Sequence, residues 1–173
     1  MDVVADVRSQ PYSRFHAQFN HRTLAAAITN ARMRYVFLGR ELGARRCERE
    51  CYRDHRARYE LIARLPAFLD GLAQLRRMVA SDRVCLLCAE KDPITCHRTV
   101  LVCRSLRREP IEIRHILADG ALETTEAVEA RLLDSVGLPL THLFFGHAEL
   151  VEQAYDLQAE RLAYTEANGT ASR

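Results

Sequence analysis

Cys96-His97-Arg98 packs more chemistry into fewer residues than any other segment of this sequence. It follows Asp92-Pro93-Ile94-Thr95 and opens a predicted helix. Free N–H groups and the positive end of a helix dipole favour an anion at such a place. The same field favours the thiolate of Cys96, which makes it a candidate nucleophile. Arg98 offers a fork for phosphate or carboxylate, and His97 joins it as a ligand-binding candidate. The plainer reading is a buried Cys96, with Arg98 paired structurally to Glu90. Glu90 leaves an apolar segment for the same loop, where a partly desolvated carboxylate can serve as general acid or base. It can equally be taken up in a salt bridge to Arg8 or Arg98. Asp6 and Arg8 are two residues apart, so along a strand they share a face. Asp6 is a candidate to orient an arginine or a water, and Arg8 to bind the anion. Arg14, on the next loop, can fold over that ligand. Ser9 lies among these ligand-binding candidates, although Ser9 and Ser13 read more as turn formers than as nucleophiles. His115 is a candidate proton carrier, and its plainer reading is a structural histidine at a strand end.

The remaining cysteines point to less. Cys85 and Cys88 have CxxC spacing but fall in an apolar strand, where their side chains point to opposite faces. Cys47, Cys51 and His55 can share a helix face but lack a fourth ligand nearby. No metal site is therefore expected, and the sequence leaves the cofactor open. No P-loop, GxGxxG or GxSxG occurs. Tyr12, Phe15, Phe19, Tyr35, Tyr52 and Tyr59 are interleaved with arginines, a pattern that can stack bases and hold phosphates. Packing into core or flap is the plainer reading, preferred for Phe19 and Tyr35.

The elements that must position these residues follow from periodicity. Asp2–Asp6 and Met33–Leu38 read as strands, and Asn20 as the cap of a helix over 21–31. Residues 47–60 are dense in charge and read as an exposed helix or an ordered flap. Leu65, Phe68, Leu69, Leu72, Leu75, Met78 and Val79 recur at helical spacing over 65–80, with Pro66 in the first turn. Arg83–Ala89 suits a strand buried on both faces. A helix over 96–107 and a strand over Ile111–Leu117 follow, then helices over 123–135 and 147–165. This order predicts a single α/β domain over 1–173, an open parallel sheet of about four strands flanked by helices, with a helical C-terminus. Ligands of such sheets bind beyond the carboxyl ends of the strands, where the three polar clusters fall.

The chain has 173 residues, 48% hydrophobic and 28% charged, enough for one domain with a sizeable core. No apolar run suits a membrane span, and no membrane partner is expected. Met1–Asp6 has no basic, apolar leader pattern, so a cytoplasmic, reducing setting with free thiols is expected for the six cysteines. The net charge of +2 conceals +5 over residues 1–60, +4 over 61–110 and −7 over 111–173. That asymmetry suggests an anionic partner for the front half, or else two differently charged solvated faces. Arginine supplies 24 of the 25 basic residues, the exception being Lys91, a bias that reads as genome composition.

Several segments, taken in order, resemble the family called domain of unknown function 488. They are Asp6-Val7-Arg8-Ser9-Gln10-Pro11-Tyr12-Ser13-Arg14, Phe19-Asn20, Tyr35, Leu38-Gly39, Glu41-Leu42-Gly43, Leu87-Cys88-Ala89-Glu90-Lys91-Asp92-Pro93, Cys96-His97-Arg98, His115-Ile116 and Asp119-Gly120. The resemblance spans about residues 2–135 and implies a bacterial source and a shared site, but no settled activity. Members usually open with a further strand and helix bearing a Thr-Ile-Gly-His-Ser-like motif. This sequence starts at the strand after it, so an uncovered edge or apolar patch is expected.

Three function classes remain open. The first is an enzyme acting on an anionic, phosphate-bearing substrate, whether nucleotide or nucleic acid. Asp6, Glu90 and His115 would be its acid–base groups, Cys96 a nucleophile, and Arg8, Arg14 and Arg98 the anion holders. The second is a noncatalytic nucleic-acid or nucleotide binding module. The third is rhodanese-like sulfur transfer through Cys96. Oligomeric state is not readable.

Overall fold

The computed structural model describes residues 1–165. Its centre is a three-stranded parallel sheet of β1 (Val3–Asp6), β2 (Arg34–Phe37) and β5 (Val84–Leu87), in the order β2-β1-β5. β1 is buried along its whole length because it has a strand on each side and structure on both faces. The register sets Ala5 beside Val36 and Leu86, and Asp6 beside Phe37 and Leu87. Side chains alternate along a strand, so Ala5 and Val7 enter the core while Asp6 and Arg8 face the other way.

Between β1 and β2 lies α1 (His21–Asn30). Asn20 stands at its N-terminus without capping it, because its side-chain oxygen accepts the Ser13 N–H at 2.6 Å instead. After β2 comes the short α2 (Gly39–Leu42). A Cβ on Gly39 would lie 2.0 Å from the Arg8 carbonyl, so only glycine lets α2 approach the exit of β1 this closely. Residues 47–60 form a flap. A two-residue hairpin, β3 (Tyr52–Arg53) with β4 (Arg56–Ala57), turns through Asp54 and His55, both at positive φ, and leads into α3 (Tyr59–Ile62). The predicted helix over 65–80 is α4 (Pro66–Val79), which buries Phe68, Leu72 and Leu75. Gly71 lets α2 pack directly on it, since a Cβ there would come within 2.7 Å of Glu41.

The helix expected after β5 is present, as a π-helix over Arg98–Cys103 that tightens into α5 (Arg104–Leu106). One prediction needs correction: the expected fourth strand does not join the parallel sheet. β6 (Arg114–Ile116) pairs antiparallel with β7 (Leu122–Thr124) as a separate hairpin, closed at Asp119-Gly120. The cause is visible in the residues. Ile111, Ile113 and His115 alternate with exposed Glu112, Arg114 and Ile116, which is the pattern of a strand with one solvated face.

The C-terminal part is helical as expected, with α6 (Thr125–Val136) and α7 (His147–Leu162). These acidic helices fold back onto the basic middle of the chain. Glu152 accepts from Arg104, Arg107 and Arg108, and Glu129 pairs with Arg107. Part of the charge asymmetry in the sequence is therefore neutralised within the molecule. Among the described residues no helix is long and apolar enough to cross a membrane.

Candidate functional site

Two polar groups form where the parallel strands end. The first belongs to β1 and β2. Asp6 has no exposed surface and grips Arg8 through both carboxylate oxygens, at 2.9 Å to Nε and 2.6 Å to the terminal nitrogen. The backbone N–H of Arg8 and the Tyr35 hydroxyl also donate to it, the latter at 2.6 Å. Arg8 spends its remaining reach on the Phe19 carbonyl. Burial pushes the Asp6 carboxyl up, but the bonds from Arg8 and Tyr35 outweigh it and hold the pKa below the ordinary carboxylate value. Burial first, then Asp6, raises the Tyr35 hydroxyl well above its ordinary value. Asp6 thus orients an arginine, and its acceptor capacity is taken.

The second group lies at the exit of β5. The ligand-type atoms of Cys88, Glu90, Cys96 and His97 all fall within 4.8 Å of one another. The Cys88 and Cys96 thiols both donate to Oε2 of Glu90, at 2.8 and 3.1 Å. Cys88 Sγ lies 3.3 Å from Nδ1 of His97. The other ring nitrogen, Nε2, is 3.0 Å from the Val7 carbonyl, which only accepts, so Nε2 carries the proton. Val7 also donates its own N–H to the Leu87 carbonyl, which fixes it against β5. The cluster is thus built on the ends of β1 and β5 together. Cys96 is fully buried and His97 nearly so, whereas Glu90 is exposed. The bond to Cys96, then burial, pushes the Cys88 thiol well above its usual range. Burial raises the Glu90 carboxyl, but the two thiol bonds outweigh it and lower its pKa.

Local structure holds the loop that carries these residues. The Asp92 side chain caps the turn over Pro93–Thr95 by accepting the Ile94 N–H, and Arg131 of α6 clamps the same carboxylate. Gln158 of α7 donates to the Ile94 carbonyl at 2.7 Å. The Cys96 sulfur accepts the Arg98 N–H at 3.4 Å, so it fills the helix-start position where the sequence suggested an outside anion.

The side chains of the other candidates make no hydrogen bond or ion pair with this cluster among the described residues. Among the described residues the Arg98 side chain makes no hydrogen bond or ion pair, and neither Arg8 nor Arg98 pairs with Glu90. The charge of Arg98 is felt instead by Cys85, Cys103, Asp92 and His115. His115 is buried, with Nδ1 3.4 Å from the Thr99 hydroxyl. Burial, then the nearby Arg98, pushes its pKa down to about 4. Ser13 accepts the His16 N–H three residues on, as a turn former does, whereas Ser9 accepts the distant Arg45 N–H and ties two loops together. Arg14 is exposed and has no ion pair among the described residues. Phe19, expected to pack inward, is 46% exposed, beside the more exposed Tyr12 and Phe15.

The sequence does not single out Cys88, or Tyr59 as a neighbour of the cluster. The CxxC spacing draws Cys88 away from the site, yet standing two residues before Glu90 places it at the strand exit. Tyr59 is buried and electrically coupled to Cys96, Glu90 and Cys88. It also lines a cavity of about 260 Å³, together with Arg56, Arg58, Arg104, Asp156 and Glu160.

The family model "Domain of unknown function DUF488" matches residues 1–104, more than half of the chain, and the chain belongs to that family. The match includes Asp6, Arg8, Arg14, Glu90 and Cys96-His97-Arg98; His115 and Asp119-Gly120 lie beyond it. No curated protein and no solved structure matches.

Proposed function

We propose that this DUF488 member is an enzyme acting on an anionic, phosphate-bearing substrate of the nucleotide class at the carboxyl ends of β1 and β5. The observation that carries this reading is the convergence of Cys88, Glu90, Cys96 and His97 on one point, with Glu90 exposed, Cys88 half-buried and the other two buried. Both thiols bond Oε2 of this carboxylate, and its exposure lets it accept a proton from a bound substrate or water. Arg14 and Arg98 carry guanidinium groups with no ion pair among the described residues and supply anion affinity. Asp6 and Arg8 shape the rim as a fixed pair, and His115 stays neutral near Arg98.

A second reading, a noncatalytic nucleic-acid binding module, draws on the exposed Tyr12, Phe15 and Phe19 interleaved with Arg14 and Arg22. Sulfur transfer through Cys96 has less support, because its sulfur has no exposed surface and Glu90 must move aside to uncover it.

A thermal-shift screen with inorganic phosphate and nucleoside monophosphates, followed by turnover assays on phosphoesters, tests the reading. At least one anion is expected to raise Tm, and Arg98→Ala to abolish that rise. Glu90→Gln is expected to remove turnover while leaving affinity within about twofold. If no anion shifts Tm, but single-stranded DNA binds with a salt dependence that Arg14→Ala flattens, the module reading replaces the enzyme.

A further inference from the structure

The geometry points to a zinc site formed by Sγ of Cys88, a carboxylate oxygen of Glu90, Sγ of Cys96 and Nδ1 of His97. This goes beyond the proposed function and does not rest on it, because metal can bind whether or not the substrate is an anion. The donors come from three local structures: the end of a strand, the loop after it and the start of a helix. Nothing in a hydrophobic fold requires two thiols, an imidazole and a carboxylate to meet.

The spacing suits a tetrahedral ion. Zinc bonds of about 2.0 Å to nitrogen or oxygen and about 2.3 Å to sulfur set the donor atoms roughly 3.3–3.8 Å apart. The Cys88–His97 separation is already 3.3 Å. The thiol–carboxylate separations of 2.8 and 3.1 Å are hydrogen-bond distances that must open by less than about 1 Å. Glu90, the exposed member, lies on a loop and can make that adjustment. The imidazole is set in advance. Its Nε2–H is fixed on the Val7 carbonyl at 3.0 Å, so when the ring is neutral the Nδ1 lone pair faces Cys88 and the centre of the cluster. This is how metal-binding histidines are commonly oriented from behind.

The donor set selects the metal class. Two thiolates and an imidazole favour zinc or another thiophilic ion over magnesium or calcium, which prefer oxygen. On binding, each thiol gives up its proton to solvent, and two S–Zn bonds replace the two S–H···O bonds to Glu90. Cys96 and His97 are buried, Cys88 is half-buried and Glu90 is exposed, so the carboxylate is the ligand that water or a substrate atom can displace most readily.

The test uses the full chain, stripped with chelator and dialysed against zinc. One tightly held zinc per chain is expected by elemental analysis. Cobalt in its place is expected to give thiolate-to-cobalt charge-transfer absorption and a tetrahedral ligand-field spectrum. Cys88→Ser and Cys96→Ser should each lose part of the charge-transfer band, the double variant all of it, and Cys47→Ser none. Glu90→Gln, a surface change that leaves folding intact, should weaken zinc by roughly tenfold or more. If the cysteine variants do not fold, protection of Cys88 from alkylation by zinc in the unaltered chain gives the same answer. Substoichiometric zinc in the folded, unaltered chain overturns the inference, as does a Cys88–Cys96 disulfide formed in zinc-saturated reducing buffer. Loss of zinc with an intact phosphate response removes this inference alone. Zinc bound without any anion response upholds it and removes the proposed function instead.

Discussion

Asp6 and Glu90 stand at the carboxyl ends of two neighbouring strands, and hydrogen bonds hold both carboxyls below their ordinary pKa. Their surroundings differ in kind. Asp6 is sealed, and its partners are a guanidinium, a backbone N–H and a phenol, all donors that a carboxylate fully satisfies. Glu90 is open, and its partners are two thiols and, through them, an imidazole, all groups that can turn their lone pairs to something else. Similar strand ends thus yield one closed structural knot and one set of convergent donors. Titratable groups at a strand exit do not by themselves make a site; what matters is whether their bonding capacity is spent on each other.

That difference can be broken or sharpened by substitution. Asp6→Asn leaves Arg8 enclosed without its counter-charge, and urea denaturation is expected to show a loss of about 3–5 kcal/mol. His115 provides a control, a buried group with no counter-charge bonded to it. Its folded pKa of about 4 lies below the unfolded value of 6.5, so its contribution is complete above pH 6.5 and is lost as pH falls toward 4. The loss approaches ~3 kcal/mol, and His115→Gln should flatten the slope across that window. Asp6, also depressed, adds its own loss only below its ordinary value of 3.8. Tyr35→Phe removes one of four bonds to Asp6 and should cost about 1–1.5 kcal/mol by the same measurement. Glu90→Gln, on the open side, should change stability by no more than about 0.5 kcal/mol in metal-free buffer.

Much of this was legible in the residues. β1 reads as a strand from its apolar run, α4 from seven apolar positions at helical spacing, and Glu90 and Cys96-His97-Arg98 as polar residues at a strand exit and a helix start. The illegible parts depend on long-range choices. His97 reaches the Val7 carbonyl, 90 residues away in sequence, and that bond turns its ring toward Cys88. Periodicity cannot show it, so the cysteine before Glu90 looked like half of a CxxC pair. Closeness in sequence groups Arg98 with Glu90, but the helix start carries its charge toward Cys85, Cys103 and His115. Element order places the fourth strand in the parallel sheet, whereas alternation over 111–116 favours a hairpin with one wet face. The basic front suggests an outside anion, and it is the basic middle, at Arg104, Arg107 and Arg108, that Glu129 and Glu152 pair with.

The most direct measurement compares urea midpoints of the unaltered chain and Cys88→Ser, each with and without zinc. In chelator the two should agree to within about 1 kcal/mol, since a serine hydroxyl can still donate to Glu90. Zinc at a thousandfold excess over Kd should stabilise the unaltered chain by about 4 kcal/mol and leave Cys88→Ser nearly unmoved. A large loss in chelator, with no effect of zinc on either protein, would mean that the cluster at the end of β5 is a structural knot like the one around Asp6.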